Sequence, residues 1–340
     1  MTKLGFFLKI DVYLHKILNK IMLNRRILRI KAFKTLYGSV LSGDMTLAQA
    51  EANLEASCEA TRDLYVFMLG VVSPLTDIAK EKIEAAKMKF NPTDEEKNPN
   101  MKFVENSLAV VLRQDVDFQK VFNKKKFSWA QYDLVLKKIF SSIQEKEYYK
   151  TYMASSERSL AEDCKLFTRI FEEEFVDCTE LESLLEEKSI HWNDDLAYSL
   201  TWCCKTLKSL SKGESWSLLP LYQSEMLSGD GVESDKFFVR RLLQAAYAGY
   251  EKYSSMIAES VEGWEKERLF STDVVLIAMG LAEVVTFPTI PVKVTINEYV
   301  EISKYYGTPK SRSFVNGLLD KLVSNLDEQG QIKKEGKGLL

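Results

Sequence analysis

Arg25, Arg26 and Arg29 fall within an arc of about 100° when the chain around them is projected as a helix, and Tyr37 lies within about 20° of Arg26 on the same projection. Three guanidinium groups beside an aromatic ring suit a single-stranded nucleic acid, because the cations neutralise phosphates while the ring offers a base a stacking surface. The same spacing equally describes a solvated charged face backed by a core tyrosine. A second basic group, Lys304, Lys310 and Arg312, surrounds Gly307, and the stretch from Pro309 to Ser311 is placed at a helix start whose free amides could face a phosphate. Its alternative is ordinary surface charge at a capped helix. Phe314 starts the helix that follows, where it either stacks on a base or, by its spacing to Leu318, packs into the core.

Other chemistry finds no residues. With two histidines, His15 and His191, and five cysteines without a CxxC pair, no zinc-ligand spacing can be assembled, and no metal site is expected. No serine or cysteine nucleophile motif accompanies His191, which reads as structural. The SGDG stretch at 228–231 is not followed by the Gly-Lys-Ser/Thr of a phosphate loop, so no nucleotide cofactor is implied. Glu172, Glu173 and Glu174 read as a solvated helix face, since paired carboxylates alone specify no acid–base chemistry. No catalytic residue is therefore assigned, and the chain is not expected to be an enzyme. An odd cysteine count without framework spacing points to a reducing, cytoplasmic setting.

The elements that must position these residues are helices. The chain has 15 glycines and 7 prolines in 340 residues, too few for the turns that sheets require, while 46% hydrophobic and 28% charged residues suffice for a sizeable core. An all-α fold follows. Residues 1–40 carry nine Lys or Arg against Asp11 alone, whereas 41–285 carry a net −13: a basic start on an acidic body, as expected of a polyanion-binding end. The first 21 residues interleave apolar residues with lysines but lack the uncharged run of a signal peptide or membrane span, so no membrane partner is expected, and translation starting at Met22 would make them an artefact.

From 23 to 40, Ile27, Ile30, Phe33, Leu36 and Tyr37 recur at helical spacing. We divide the chain into a 1–21 extension, N-terminal helices at 22–90, a helical insertion at 91–234 with loops at 90–101 and 210–234, a C-terminal bundle at 235–325, and a polar tail at 326–340. A displacement of 72 residues aligns Asp163 with Asp235, Arg169 with Arg241 and Trp192 with Trp264, which suggests a duplicated helical hairpin; Trp192, Trp202 and Trp264 are expected in the core. Near the end, Gly307 supplies a helix C′ position, Thr308 and Pro309 restart a helix as N-cap and N1, and Gly317 is expected to mark a close helix–helix approach.

Two blocks of this sequence, about 115 residues together, resemble the NusB family of bacterial transcription antitermination factors. The first is NRRILRIKAFKTLYG at 24–38, an arginine-rich helix ending in Leu36 and Tyr37. The second is 235–325 throughout, marked by the PVKVTINE segment at 291–298, the Lys304 to Gly307 corner, and the FVNGLLDK helix at 314–321. The resemblance implies an all-α fold of NusB-like helical bundles carrying an additional helical insertion. It further implies binding of boxA-type single-stranded rRNA leader RNA together with the ribosomal protein NusE, within an RNA polymerase antitermination complex that supports rRNA transcription and small-subunit maturation. It places Arg25, Arg26, Arg29, Tyr37, Lys304, Lys310, Arg312 and Phe314 on the RNA surface, and it implies no cofactor. Lys310 stands where shorter members are often acidic. The competing reading is a non-RNA helical adaptor that binds a protein partner through its insertion and acidic body.

Overall fold

The computed structural model describes residues 22–222, 234–261 and 271–339. The expectations for the 1–21 extension and for Trp264 lie outside the described residues. The fold is all-α, with no strand among the described residues. In chain order the helices are α1 Arg25–Ser42, α2 Leu47–Leu69, α3 Val72–Lys87, α4 Asp94–Lys97, α5 Ser107–Gln114, α6 Val116–Lys124, α7 Asp133–Glu145 and α8 Glu147–Ala154. They continue as α9 Leu160–Ile170, α10 Thr179–Lys188, α11 Leu196–Leu210, α12 Asp235–Ser260, α13 Ser271–Thr286, α14 Val292–Tyr306 and α15 Ser311–Glu328. No helix among the described residues is long and apolar enough to cross a membrane.

The chain divides into two compact units. One joins Ile21–Cys58 to Pro220–Leu340; the other is, among the described residues, Glu59–Leu219. The division falls inside α2, and the 90–101 loop lies within the second unit.

In the first unit, α13 packs against α1, α12, α14 and α15. Its run of Val275, Leu276, Ile277, Ala278, Met279, Leu281 and Ala282 is wholly buried, as a helix apolar on every side must be. The helix starts where its caps dictate: Asn24 accepts a hydrogen bond from the Ile27 amide (3.0 Å) at the head of α1, and Gly43, at φ +72°, ends it with its N–H on the Ser39 carbonyl. The close approach expected at Gly317 is found elsewhere. Gly317 is exposed with open space around it, whereas a Cβ on Gly280 would stand 2.8 Å from Leu319 Cδ2 and 3.4 Å from Tyr299. Gly307 is not left-handed but extended (φ −105°, ψ −172°), and its lack of a side chain matters because a Cβ would collide with Ser311 and stand 2.7 Å from the Ser303 carbonyl. α15 opens at Ser311, whose amide donates to the Thr308 carbonyl at 2.9 Å, so Pro309 lies in the preceding turn rather than at N1.

The stretch read as a polar tail is helical to Glu328 and then folds back. Lys334 Nζ donates to the Val284 carbonyl in the last turn of α13 and to the Phe287 carbonyl just beyond it (2.9 Å each), and the Glu335 amide donates to the Pro288 carbonyl.

The 59–219 unit is built on aromatic packing. Phe67 stacks on Trp129 with centroids 4.2 Å apart, and Trp192 and Tyr132 close around it; Phe103, Phe140 and Phe167 form a second cluster. Trp192 and Trp202 are buried as expected, and the Trp192 indole donates to the Ala60 carbonyl at 3.0 Å. Asp163 and Asp235, paired by the 72-residue displacement, are both buried. Asp163 accepts from the Ser107 amide at the head of α5, and Asp235 accepts from Arg25 at the head of α1.

Candidate nucleic-acid surface

The basic arc of α1 meets carboxylates. Arg25 Nε donates to Asp235 Oδ1 at 3.1 Å, with its guanidinium 4.7 Å from the centre of the Phe238 ring. Arg26 makes a two-pronged pair with Glu298 at 2.6 and 2.7 Å. Arg29 makes a second such pair with Glu283, both bonds 2.7 Å, and both side chains are shut off from solvent. Glu283 also accepts from the Thr295 hydroxyl (2.8 Å) and the Tyr299 hydroxyl (3.1 Å), so each carboxylate oxygen has two donors. This corrects the expectation for Arg29: its guanidinium belongs to the interior of the first unit and is not presented to a phosphate. Arg25 and Arg26 keep roughly a third of their side chains exposed, 30% and 28%.

The charge states follow from this geometry. Burial works to lower the Arg29 pKa, but the charge and hydrogen bonds of Glu283 outweigh it and hold the guanidinium above its ordinary value. Burial pushes Tyr299 well up, and the Glu283 charge adds to it, so this hydroxyl stays a donor. For Glu298 burial acts upward, yet the Arg26 hydrogen bond and the charges of Arg29 and Arg26 win and hold the carboxyl below the usual range.

The remaining residues lie on α1, α14, α15 and the corner between the last two. Tyr37 is half-buried, its ring 6.0 Å from that of Phe33, and Phe33 lies 5.3 Å from Tyr306 at the end of α14; Lys34 Nζ sits 5.6 Å from the Tyr306 ring. These contacts bring the second half of α1 to the start of the corner. Lys304 pairs with Glu301 one turn back on its own helix. Lys310 and Arg312 are exposed and form no ion pair among the described residues. Phe314 is half-buried. Beneath the corner, the Ser311 hydroxyl donates to Asp273 Oδ2 at 2.7 Å; burial raises the Asp273 carboxyl, with the Ser311 bond opposing.

Sequence reasoning missed the partners: Asp235, Glu283, Thr295, Glu298 and Tyr299. One signal was available. Glu283 interrupts the apolar run LIAMGLAEVV, and an acid set within such a run is buried only with a compensating partner. Thr295 and Glu298 belong to the PVKVTINE segment, so that motif holds the arginine helix in place.

The NusB family profile matches residues 208–324. Among known proteins, the transcription antitermination protein NusB of Salinibacter ruber is 31% identical over 134 residues, covering 35% of this chain and 84% of the relative. That of Bacillus licheniformis is 36% identical over 98 residues, covering 29% of this chain and 75% of the relative. That of Chloroherpeton thalassium is 33% identical over 105 residues, 31% of this chain and 50% of the relative. No solved structure matches. With an arginine-rich first helix locked by the acids of α13 and α14, and with the relatives from Salinibacter ruber and Bacillus licheniformis matched over more than two thirds of their own length, the chain belongs to the NusB family.

Proposed function

We propose that this protein is a cytoplasmic transcription antitermination factor of NusB type, which binds boxA-type single-stranded leader RNA together with the ribosomal protein NusE in an RNA polymerase antitermination complex. Family membership supports the general role, since the relatives carry that name. The observation that carries the RNA surface is the pair Lys310 and Arg312, exposed and without ion-pair partners among the described residues, beside a corner that aromatic contacts join to α1. In this reading Lys310, Arg312 and Lys304 neutralise phosphates, Tyr37 and Phe314 supply ring surface, and Arg25 and Arg26 contribute from the rim of their ion pairs. Arg29 is scaffold.

The test is anisotropy of a labelled boxA-like single strand across a salt series, with and without NusE. Single-stranded RNA loses about 0.7 in log–log salt slope per phosphate contact removed, so Lys310→Ala with Arg312→Ala should flatten the slope by about 1.4 and weaken binding. Wild-type affinity and slope in that variant would refute the surface. The internal pairing of Arg25, Arg26 and Arg29 favours one alternative, a helical adaptor that takes a protein partner. Retention of NusE by a chain with no salt-dependent RNA affinity would select it.

A further inference from the structure

In the 59–219 unit, α9 and α11 run together over a cleft of about 420 Å³. Its mouth is formed by small side chains, Ala161 and Thr168 on α9 and Thr201 and Cys204 on α11, none of them buried. Beneath them lie Cys164, Leu200 and Leu207, which give the cleft an apolar floor. Four cations flank it: Lys165 and Arg169 on one helix, Lys205 and Lys208 on the other, against a single carboxylate, Glu172, at one end. The surrounding unit is acidic, with 28 Asp or Glu against 23 Lys or Arg in 59–219, so this concentration of positive charge runs against the local trend.

Lys165 and Lys208 form no ion pair among the described residues. Arg169 is engaged by Glu173 at 3.1 Å in an exposed i,i+4 pair, a contact of the kind that contributes little and exchanges readily. Lys205 rests over the Trp202 ring, 4.4 Å from its centre.

We propose that this cleft docks an acidic amphipathic helix of a partner protein. Spacing and length argue for it. Lys165 and Arg169 are four residues apart and Lys205 and Lys208 three, so each row of cations repeats about once per helical turn, the repeat at which a partner helix displays carboxylates at i, i+3 and i+4. From Ala197 to Ser211 the α11 wall extends about 21 Å, four turns of a docked helix. Small mouth residues over an apolar floor accept an aliphatic ridge. A nucleic acid fits less well: the aromatic side chain lining the cleft, Phe171, is fully buried and offers no face for stacking, on which sequence-tolerant single-strand binding depends.

The test uses the full chain and a fluorescein-labelled 18-residue helical peptide, with leucines at i, i+3, i+4 and i+7 and glutamates flanking them, and a twin with lysines replacing the glutamates. We expect the glutamate peptide to bind the wild type in a salt-dependent manner. Lys165→Glu with Lys208→Glu should weaken it at least tenfold and turn preference to the lysine peptide. Thr201→Trp should block the cleft, while Lys120→Glu with Lys124→Glu, exposed in the same unit and outside the cleft, should bind as wild type. Circular dichroism melts of each variant establish that the unit is folded. The proposal fails if the glutamate peptide does not bind, or binds the charge-reversed variant equally well. It also fails if the cleft variants lose instead a labelled 20-nucleotide single strand, or abolish a dimer detected by sedimentation, since nucleic acid or a second copy would then be the occupant.

Discussion

Arg29 of the first helix and Glu283 of α13, 254 residues apart in sequence, form a two-pronged ion pair sealed from solvent, with Thr295 and Tyr299 completing the carboxylate's hydrogen bonds. A cation placed by its helical position on a nucleic-acid-binding arc is thereby the fastening between α1 and the centre of its unit.

Removing one member of such a pair strands the other charge. Arg29→Ala should destabilise the protein by about 3–5 kcal/mol, read from urea unfolding, because Glu283 would remain buried without its counter-ion. RNA affinity should fall only in proportion to the folded fraction. A variant that melts as wild type but binds RNA tenfold more weakly would return Arg29 to the binding surface.

Tyr37 separates contact from scaffold. Its ring is half-buried against Phe33. If it stacks on a base, Tyr37→Ala costs about 1–3 kcal/mol of RNA affinity with the salt slope unchanged. A parallel drop in melting temperature would show that the ring serves packing alone.

Two glycines should respond in opposite directions. Gly280→Ala drives a Cβ into Leu319 and towards Tyr299, both fully buried and unable to yield, and should cost about 1–3 kcal/mol. Gly317→Ala meets open space on an exposed helix face and should stabilise by up to about 1 kcal/mol. Equal effects from the two changes, measured by thermal melts, would contradict this packing.

Acidity offers a fourth probe. Glu298 titrates below its ordinary value in the folded protein, so its contribution is present above the carboxylate range and is lost as pH falls; Glu298→Gln should destabilise at neutral pH and converge on wild type in acid. Asp273 behaves oppositely. Burial raises it, so wild-type stability falls as pH rises from about 4 towards the raised value, and Asp273→Asn should gain melting temperature relative to wild type over that interval. A pH-independent difference for either variant would show that these carboxyls titrate as in the unfolded chain.

Helix content, the span of α1 to within two residues at each end, and the corner between α14 and α15 were legible because they rest on local spacing and capping. The fate of the arginines was not, since a helical projection treats a charged stripe as solvent-facing, and nothing local distinguishes a guanidinium bound for water from one bound for a carboxylate on a distant helix. Gly317 was misread for a related reason: position in a helix cannot say which neighbour lies beyond it, and the glycine that does admit a neighbour, Gly280, sits within an unremarkable apolar run. The division between units was hidden because it falls within α2 at Cys58 and Glu59, where no Gly, Pro or polar cluster marks it, while the conspicuous loop at 90–101 lies inside one unit.

That division sets an order of assembly on the ribosome. The described residues of the Glu59–Leu219 unit form one stretch of chain. The Ile21–Cys58 stretch leaves the ribosome earlier but must wait for Pro220–Leu340, and at about 5–20 residues per second Glu283 follows Arg29 by roughly 13–50 s. For that interval the arginines of α1 lack the full set of carboxylates, Asp235, Glu298 and Glu283, that pair with them in the folded protein.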